Sequence, residues 1–264
     1  MNANVTRSFK LTVAYDGTSF CGWQVQPNQP TIQGHLQDAL QRLTGDQVQV
    51  IGSGRTDAGV HAHAQVASCS LVWRDTPQHL LRAINTKLPE SIVVSGAEEA
   101  REGFHAIRHA IGKRYRYQLK IGGVRDVFDY RYHWHLHGEL DLGQMRLAAK
   151  RLIGEHDFKS FQAAGADRKT TVRTIRACDL FVQAVEDDQT SILLIEVEAD
   201  GFLYNMVRNI VGTLVEVGRG KRTVEWIDQV LVARDRDVAG PTAPACGLFL
   251  LRVDYPDSIL KTRE

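Results

Sequence analysis

The stretch best equipped for chemistry is Gly52-Ser53-Gly54-Arg55-Thr56-Asp57-Ala58-Gly59-Val60-His61-Ala62. Its glycines let the backbone turn tightly and come close to a ligand. Within it a carboxylate, Asp57, stands near a guanidinium, Arg55. Loops carried on a rigid scaffold commonly hold catalytic groups, so carboxylate chemistry beside a cation is one reading. A hairpin loop closed by a surface ion pair is the other, and the residues alone leave both open. A phosphate-cradling dinucleotide loop is excluded. Gly52 and Gly54 form only the first half of that fingerprint, and the loop joins two strand-like segments instead of opening a helix.

Two further residues could take part. Arg208 shares a helical face with Tyr204, Val211 and Val215 at i−4, i+3 and i+7. An arginine on such an apolar face needs an anion or must snorkel along the helix to water. Tyr115 lies in Lys113-Arg114-Tyr115-Arg116-Tyr117, aromatic on one face and basic on the other, the ordinary look of core aromatics under a charged surface. Tyr117 shares its phase and reads as core. His133, His135 and His137 alternate on one strand face, as do His61 and His63, but no carboxylate or cysteine completes a metal set at a recognisable spacing. No metal and no cofactor is expected.

The elements that must position these groups follow from periodicity. Phe9 to Tyr15 alternates as a half-buried strand ending in the Asp16-Gly17 turn. The polar connector Gly22 to Pro30 follows. Thr31 caps a helix with the apolar stripe Ile32, Leu36, Ala39, Leu40 and Leu43. Val48 to Ile51 and Ala64 to Leu71 read as strands on either side of the glycine-rich loop. Thr76-Pro77 starts a second helix, and Ser91 to Ala97 is a fourth strand. The order β-α-β-β-α-β is the split, ferredoxin-like arrangement. The second half reads as a decorated relative. Lys113 to Ile121 and Tyr132 to His137 are strands, Asp141 caps a helix, and Val172 to Val185 with Ser191 to Ala199 forms a hairpin around Glu186-Asp187-Asp188. Helices from Phe202 to Val217 and Val224 to Ala233 and a strand from Gly247 to Val253 follow, then a loose tail from Asp254 to Glu264. The expected class is α+β, two ferredoxin-like (RRM-like) split β-α-β units with antiparallel sheets packed into one body, residues 1–104 and 105–264.

Bulk properties narrow the class. The chain has 264 residues, 43% hydrophobic and 24% charged, with a formal net charge of +1. Cys21, Cys69, Cys178 and Cys246 form no Cys-x-x-Cys pair and read as reduced cytosolic thiols. Neither an apolar run of membrane length nor a secretory leader is visible, so a cytoplasmic protein away from membranes is expected. Charge is uneven: Arg108, Lys113, Arg114, Arg116 and Lys120 crowd a stretch without acids, and Lys159, Arg168, Lys169, Arg173 and Arg176 face only Asp157 and Asp167. Such stripes suit a phosphate backbone, or a solvated face whose acids lie elsewhere.

Gly54-Arg-Thr-Asp-Ala-Gly-Val-His-Ala62 resembles the active-site motif of the TruA family of tRNA pseudouridine synthases. The likeness continues through Gly22-Trp23-Gln24, Asn85 to Pro89, Phe104-His105-Ala106 and Arg114-Tyr115-Arg116-Tyr117. Met206-Val-Arg-Asn-Ile-Val-Gly212 and Thr242-Ala-Pro244 with Gly247-Leu248 complete it. The pieces run in order from about Tyr15 to Tyr255. The resemblance implies a pseudouridine synthase-type fold and a cofactor-free isomerase of uridine in the tRNA anticodon stem-loop, at positions 38 to 40, acting as a homodimer. It implies Asp57 as the catalytic carboxylate, Arg208 as its cationic partner, and Tyr115 as a second catalytic residue that packs on the target uracil. Arg55 would help the RNA open and hold the nucleotide, with Thr56 and His61 as further substrate contacts. Where the family often carries arginine after Phe-His-Ala, this chain has Ile107 and then Arg108. Alternatives are a synthase with another RNA target, a non-catalytic RNA-binding module, and a metal-dependent hydrolase built on the histidine strands.

Overall fold

The computed structural model describes residues 5–163, 165, 170–184 and 190–260. Two compact units emerge. One runs to Ile111 and takes up the chain again from Leu250; the other is Gly112–Phe249. The expected division at 104, with everything after it in the second half, differs from this arrangement. The reason is a shared core: Ile259 packs with Val66, Ala100, Phe104 and Ala106, and the Tyr255 hydroxyl donates to the Ala106 carbonyl at 2.7 Å.

In the first unit β1 (Thr6–Tyr15) is followed by α1 (Ile32–Thr44), β2 (Val50–Gly52), β3 (His61–Val72), α2 (Pro77–Asn85) and β4 (Ile92–Ala100). This is the β-α-β-β-α-β order read from periodicity. The strands pair antiparallel, β4 with β1, β1 with β3, and β3 with β2. Both helices start as expected. The Thr31 hydroxyl accepts from Gly34 N–H and the Thr76 hydroxyl from His79 N–H, each relieving an orphan donor of the first turn. Ile32, Leu36, Ala39 and Leu40 of α1 and Leu80 and Ile84 of α2 are buried, as are Phe9, Leu11 and Val13 of β1.

The β1–β3 register holds from Thr6↔Val72 to Val13↔Gln65, then slips to Tyr15↔Ala62. This bulge lies beside the glycine-rich loop, where bulges often re-aim side chains. It breaks the two-residue alternation: His61 is buried and His63 exposed, although spacing alone puts them on one face.

The second unit holds β5 (Gly112–Gly122), β6 (Trp134–Leu136), α3 (Leu142–Lys150), β7 (Gly154–Asp157), β8 (Val172–Ala184), β9 (Thr190–Ala199), α4 (Met206–Gly218) and α5 (Trp226–Ala233). Within it β5, α3, β8, β9 and α4 repeat the β-α-β-β-α order. The sheet runs β5-β9-β8-β7, antiparallel throughout, and β6 lies parallel to the end of β5. Asp141 caps α3 by accepting from Gln144 N–H at 2.9 Å. The strand expected over Tyr132 to His137 is confined to three residues, and β7 was not anticipated. The last strand, β10 (Leu248–Asp254), pairs with β3 in the first unit. The fold is α+β with mostly antiparallel strands. The expected turn Glu186-Asp187-Asp188, the stripe residues Asp167, Arg168 and Lys169, and the end of the tail lie outside the described residues.

One helix differs in a way that matters. The stretch expected to be helical from Phe202 begins only at Met206, because Asn205 sits in the left-handed region with φ 58° and ψ 8°. A right-handed helix does not pass through that conformation. Tyr204 is therefore not a helical neighbour of Arg208, and it is exposed.

Candidate active site

The first unit builds the loop that carries Asp57. Its entry is fixed from below by Gln65, a fully buried amide in the middle of β3. Ser53 N–H donates to the Val66 carbonyl at 2.7 Å, the Ser53 hydroxyl to Gln65 Oε1 at 2.6 Å, and Gln65 Nε2 to the Gly54 carbonyl at 3.0 Å. At the centre, Thr56 is buried and doubly held. Its Oγ1 shares a 2.8 Å hydrogen bond with the Tyr15 hydroxyl, and its carbonyl accepts from Trp23 N–H at 3.0 Å. Asp57 follows immediately, half-buried, and its carbonyl closes a tight turn by accepting from Val60 N–H at 3.1 Å.

Three close approaches explain local glycines. A Cβ on Gly22, whose φ is +88°, would lie 2.5 Å from the Thr56 carbonyl oxygen. A Cβ on Gly52 would meet the Trp23 ring at 2.4 Å, and one on Gly17 the Val60 carbonyl at 2.0 Å. The Gly22-Trp23 backbone is thus pressed against the residue before Asp57, and the turn after β1 against the loop's exit. The connector from Gly22 is structural at its start. Gln24 next binds both the Arg55 guanidinium, at 3.2 Å, and the Gln33 amide, at 2.7 Å, while Arg55 itself is exposed.

Burial pushes the Tyr15 phenol up to about 12, an effect softened by its hydrogen bonds to Thr56 and Gln65. It stays a neutral hydrogen-bonding group under the loop. His61 is also buried, its Nδ1 lying 3.1 Å from Gly17 N–H and 3.1 Å from Asp16 Oδ1. That nitrogen accepts from Gly17 only when unprotonated and donates to Asp16 only when protonated, so the two contacts alternate.

The second unit carries Tyr115 and Arg208. Tyr115, on β5 opposite Val197, is largely buried with its ring edge-to-face on Phe202 at 5.0 Å. Tyr117 is fully buried, as expected for core, and its hydroxyl donates to the Pro244 carbonyl at 2.7 Å; desolvation drives its phenol well above the ordinary range. Arg208 does not reach along α4 toward water with its whole fork. Its Nε donates to the Ala243 carbonyl at 2.7 Å and one terminal nitrogen to Asn205 Oδ1 at 2.9 Å.

The segment from Gly240 to Pro244, gripped at one end by Tyr117 and Arg208, is locked to α4 along its length. Asn209, fully buried, accepts from the Thr242 hydroxyl at 2.6 Å and the Arg236 guanidinium at 3.0 Å, and donates to the Phe161 carbonyl at 2.8 Å. The Thr213 hydroxyl accepts from Gly240 N–H at 3.0 Å. Gly212 lets the strap cross: a Cβ there would fall 1.7 Å from the Pro241 carbonyl oxygen.

The structure therefore gathers Arg55, Thr56 and Asp57 in one loop of the first unit, with His61 at the start of β3 beside it, and holds Tyr115 and Arg208 on β5 and α4 of the second. Gln65, Asn209, Tyr15 and Asn205 escaped the sequence reading. The first two carried a signal, since each is an amide inside a largely apolar strand or helix, where it must find buried partners.

The basic stripe on β5 is balanced by acids. Arg114 pairs with Glu196 at 2.7 Å and Glu198 at 3.4 Å on β9, Arg116 Nε with Glu196 at 2.8 Å, and Lys120 with Asp129 at 3.1 Å. His135 Nε2 hydrogen-bonds the Gly122 carbonyl at 2.8 Å, and His133 lies 3.8 Å from Asp129. Among the described residues no group of three His, Cys, Asp or Glu is placed to hold a metal ion.

A model of the tRNA pseudouridine synthase family matches residues 11–107 and 148–256. The chain belongs to the tRNA pseudouridine synthase family. It is 46% identical over 248 residues to the tRNA pseudouridine synthase A of Moorella thermoacetica, across 93% of this chain and 98% of that one. The protein of the same name from Geobacillus sp. is 43% identical over 252 residues, with 95% and 99% covered. That of Myxococcus xanthus is 44% identical over 253 residues, with 94% and 92% covered. The enzyme is a tRNA pseudouridine synthase, an isomerase that turns uridine into pseudouridine. Asp57, Arg208 and Asn209 fall inside the matched segments of the synthase; Tyr115 falls between them.

Proposed function

We propose that the enzyme isomerises uridines 38 to 40 in the anticodon stem-loop of tRNA, with Asp57 as catalytic carboxylate. The N1–C1′ bond breaks, the detached uracil turns, C5 joins C1′, C5 gives up its proton and N1 gains one. No electrons are gained or lost, so the stoichiometry calls for no redox cofactor. Asp57 attacks C1′ or assists departure of uracil, as carboxylates do in glycosidases. The family resemblance makes Arg208 its cationic partner, and a guanidinium beside a carboxylate favours the ionised form. Tyr115 packs on the uracil and is the candidate to take the C5 proton, although a phenol is a weak base near neutral pH. Flipping the nucleotide out costs a few kcal/mol, and stacking on an aromatic ring returns about 1–3 kcal/mol. Arg55, exposed at the tip of the loop, meets the RNA, with Thr56 and His61 ordering the backbone around Asp57.

The observation that carries this reading is the setting of Asp57. A half-buried carboxylate follows a threonine clamped on both its hydroxyl and its carbonyl, in a chain that matches tRNA pseudouridine synthases over most of its length. A homodimer working in the cytoplasm completes the proposal. Its support is the family resemblance, together with the finding that no helix among the described residues is long and apolar enough to cross a membrane. Light scattering on the purified protein tests the dimer.

The activity is tested with unmodified tRNA labelled with tritium at uracil C5, incubated with the wild-type protein or Asp57→Ala. Label released to water by the wild type and retained with the variant, at equal tRNA binding, supports the assignment. Mapping the product nucleotides tests positions 38 to 40. Wild-type protein that binds tRNA and releases no label points to another RNA target.

A further inference from the structure

Asn205 is built for something other than the fold. It is a left-handed, non-glycine residue at φ 58°, a conformation that asparagine tolerates and glycine adopts without cost. It stands at the N-terminal boundary of α4, where asparagine is among the best capping residues, yet its side chain makes no capping hydrogen bond. Its Oδ1 instead accepts from the Arg208 guanidinium at 2.9 Å. Arg208 Nε ends on the Ala243 carbonyl at 2.7 Å, and that carbonyl sits on the strap locked to α4 through Thr242 and Asn209. Both acceptors are neutral. They orient the guanidinium through its hydrogens and do not themselves cancel its charge, whereas a carboxylate in either place would.

We infer that Asn205 is a positioning residue for the isomerisation: its left-handed backbone and amide oxygen aim Arg208 without neutralising it. The inference rests on the reading of Arg208 as the cation that serves the catalytic carboxylate. It separates position from charge, so two substitutions that a plain left-handed turn would accept both become harmful. Asn205→Gly keeps the backbone and removes the acceptor. Asn205→Asp keeps the acceptor and the tolerance for this conformation, and adds a negative charge.

The test measures kcat and KM for unmodified tRNA, with circular dichroism melting of each variant. Asn205→Asp should melt near the wild-type temperature and Asn205→Gly no more than a few degrees below it, with KM unchanged in both. Loss of a hydrogen bond to a charged group should lower kcat roughly ten- to a hundredfold in Asn205→Gly, and Asn205→Asp should be at least as slow. A glycine variant with wild-type kcat overturns the inference. So does a loss confined to melting temperature or to KM, which marks Asn205 as a turn or RNA-contact residue. Arg208→Ala is run beside them. If it retains activity, the role of Arg208 itself has failed; if it is inactive while Asn205→Gly is not, only the role of Asn205 has.

Discussion

At the scale of single residues, neutral hydrogen-bonding groups hold both the loop of Asp57 and the side chain of Arg208. Tyr15, Thr56, Gln65 and Ser53 hold the loop of Asp57, and Asn205 and the Ala243 carbonyl hold Arg208. Tyr15→Phe removes the hydroxyl paired with Thr56. It should destabilise the protein by about 1 kcal/mol in urea unfolding and lower kcat with little change in KM, because the threonine beside Asp57 loses one of its two anchors. Gly22→Ala should do more harm. A methyl at φ +88° and 2.5 Å from the Thr56 carbonyl forces the loop to move. Tritium release should fall at least as far as in Tyr15→Phe, while tRNA binding in a filter assay persists.

At the scale of elements, the regular pieces are ordinary and the joints hold the residues proposed for the site. Thr31 and Thr76 cap their helices; Thr76→Ala should cost about 1 kcal/mol of stability and leave kcat alone. The α4 strap contrasts with this. Gly212→Ala places a methyl where the Pro241 carbonyl stands. Such overpacking should cost about 1–3 kcal/mol and also lower kcat, since it pushes away the strap that supplies the Ala243 acceptor. Finding both losses together, by melting and by turnover of the same preparation, checks the link between strap and Arg208. A stability loss with unchanged kcat would break it.

At the scale of the whole molecule, charge and protonation have separate consequences. The Arg114–Glu196–Arg116 ladder is internally balanced, and the Glu196 side chain is only 9% exposed. Arg114→Ala should therefore destabilise the second unit, by up to about 3 kcal/mol for an interrupted buried pair. The salt dependence of tRNA binding should stay as it is, where loss of a phosphate contact would flatten it. Alkaline pH acts on the first unit through Tyr15 and Cys69, whose folded-state values are pushed by burial from 10.0 and 9.0 to about 12. Above pH 9 the unfolded chain loses these protons and the folded one does not. Stability is thus fully present below pH 9 and is lost as pH rises toward about 12. Tyr15→Phe should make the decline shallower in unfolding experiments run across that range.

Much of this was legible in the residues. Alternation in Phe9 to Tyr15 and the threonines at the two helix starts depend on neighbours in the chain, and they specify the β-α-β-β-α-β order locally. The family motif around Asp57 was legible in the chain. Arg208 was singled out as a cation on an apolar helix, and that helix starts later than its periodicity indicates. What only the tertiary structure decided are the non-local partners. The acids that balance Arg114 and Arg116 lie on β9, some eighty residues away. The carbonyls that hold Arg208 and Tyr117 come from the strap near Pro244, and Ile259 returns to a core begun by Val66. A hydrogen bond or a packed contact depends on distance in space, which periodicity along the chain does not encode. The left-handed turn at Asn205 belongs with these, because asparagine permits that conformation without requiring it, and the surrounding structure chooses.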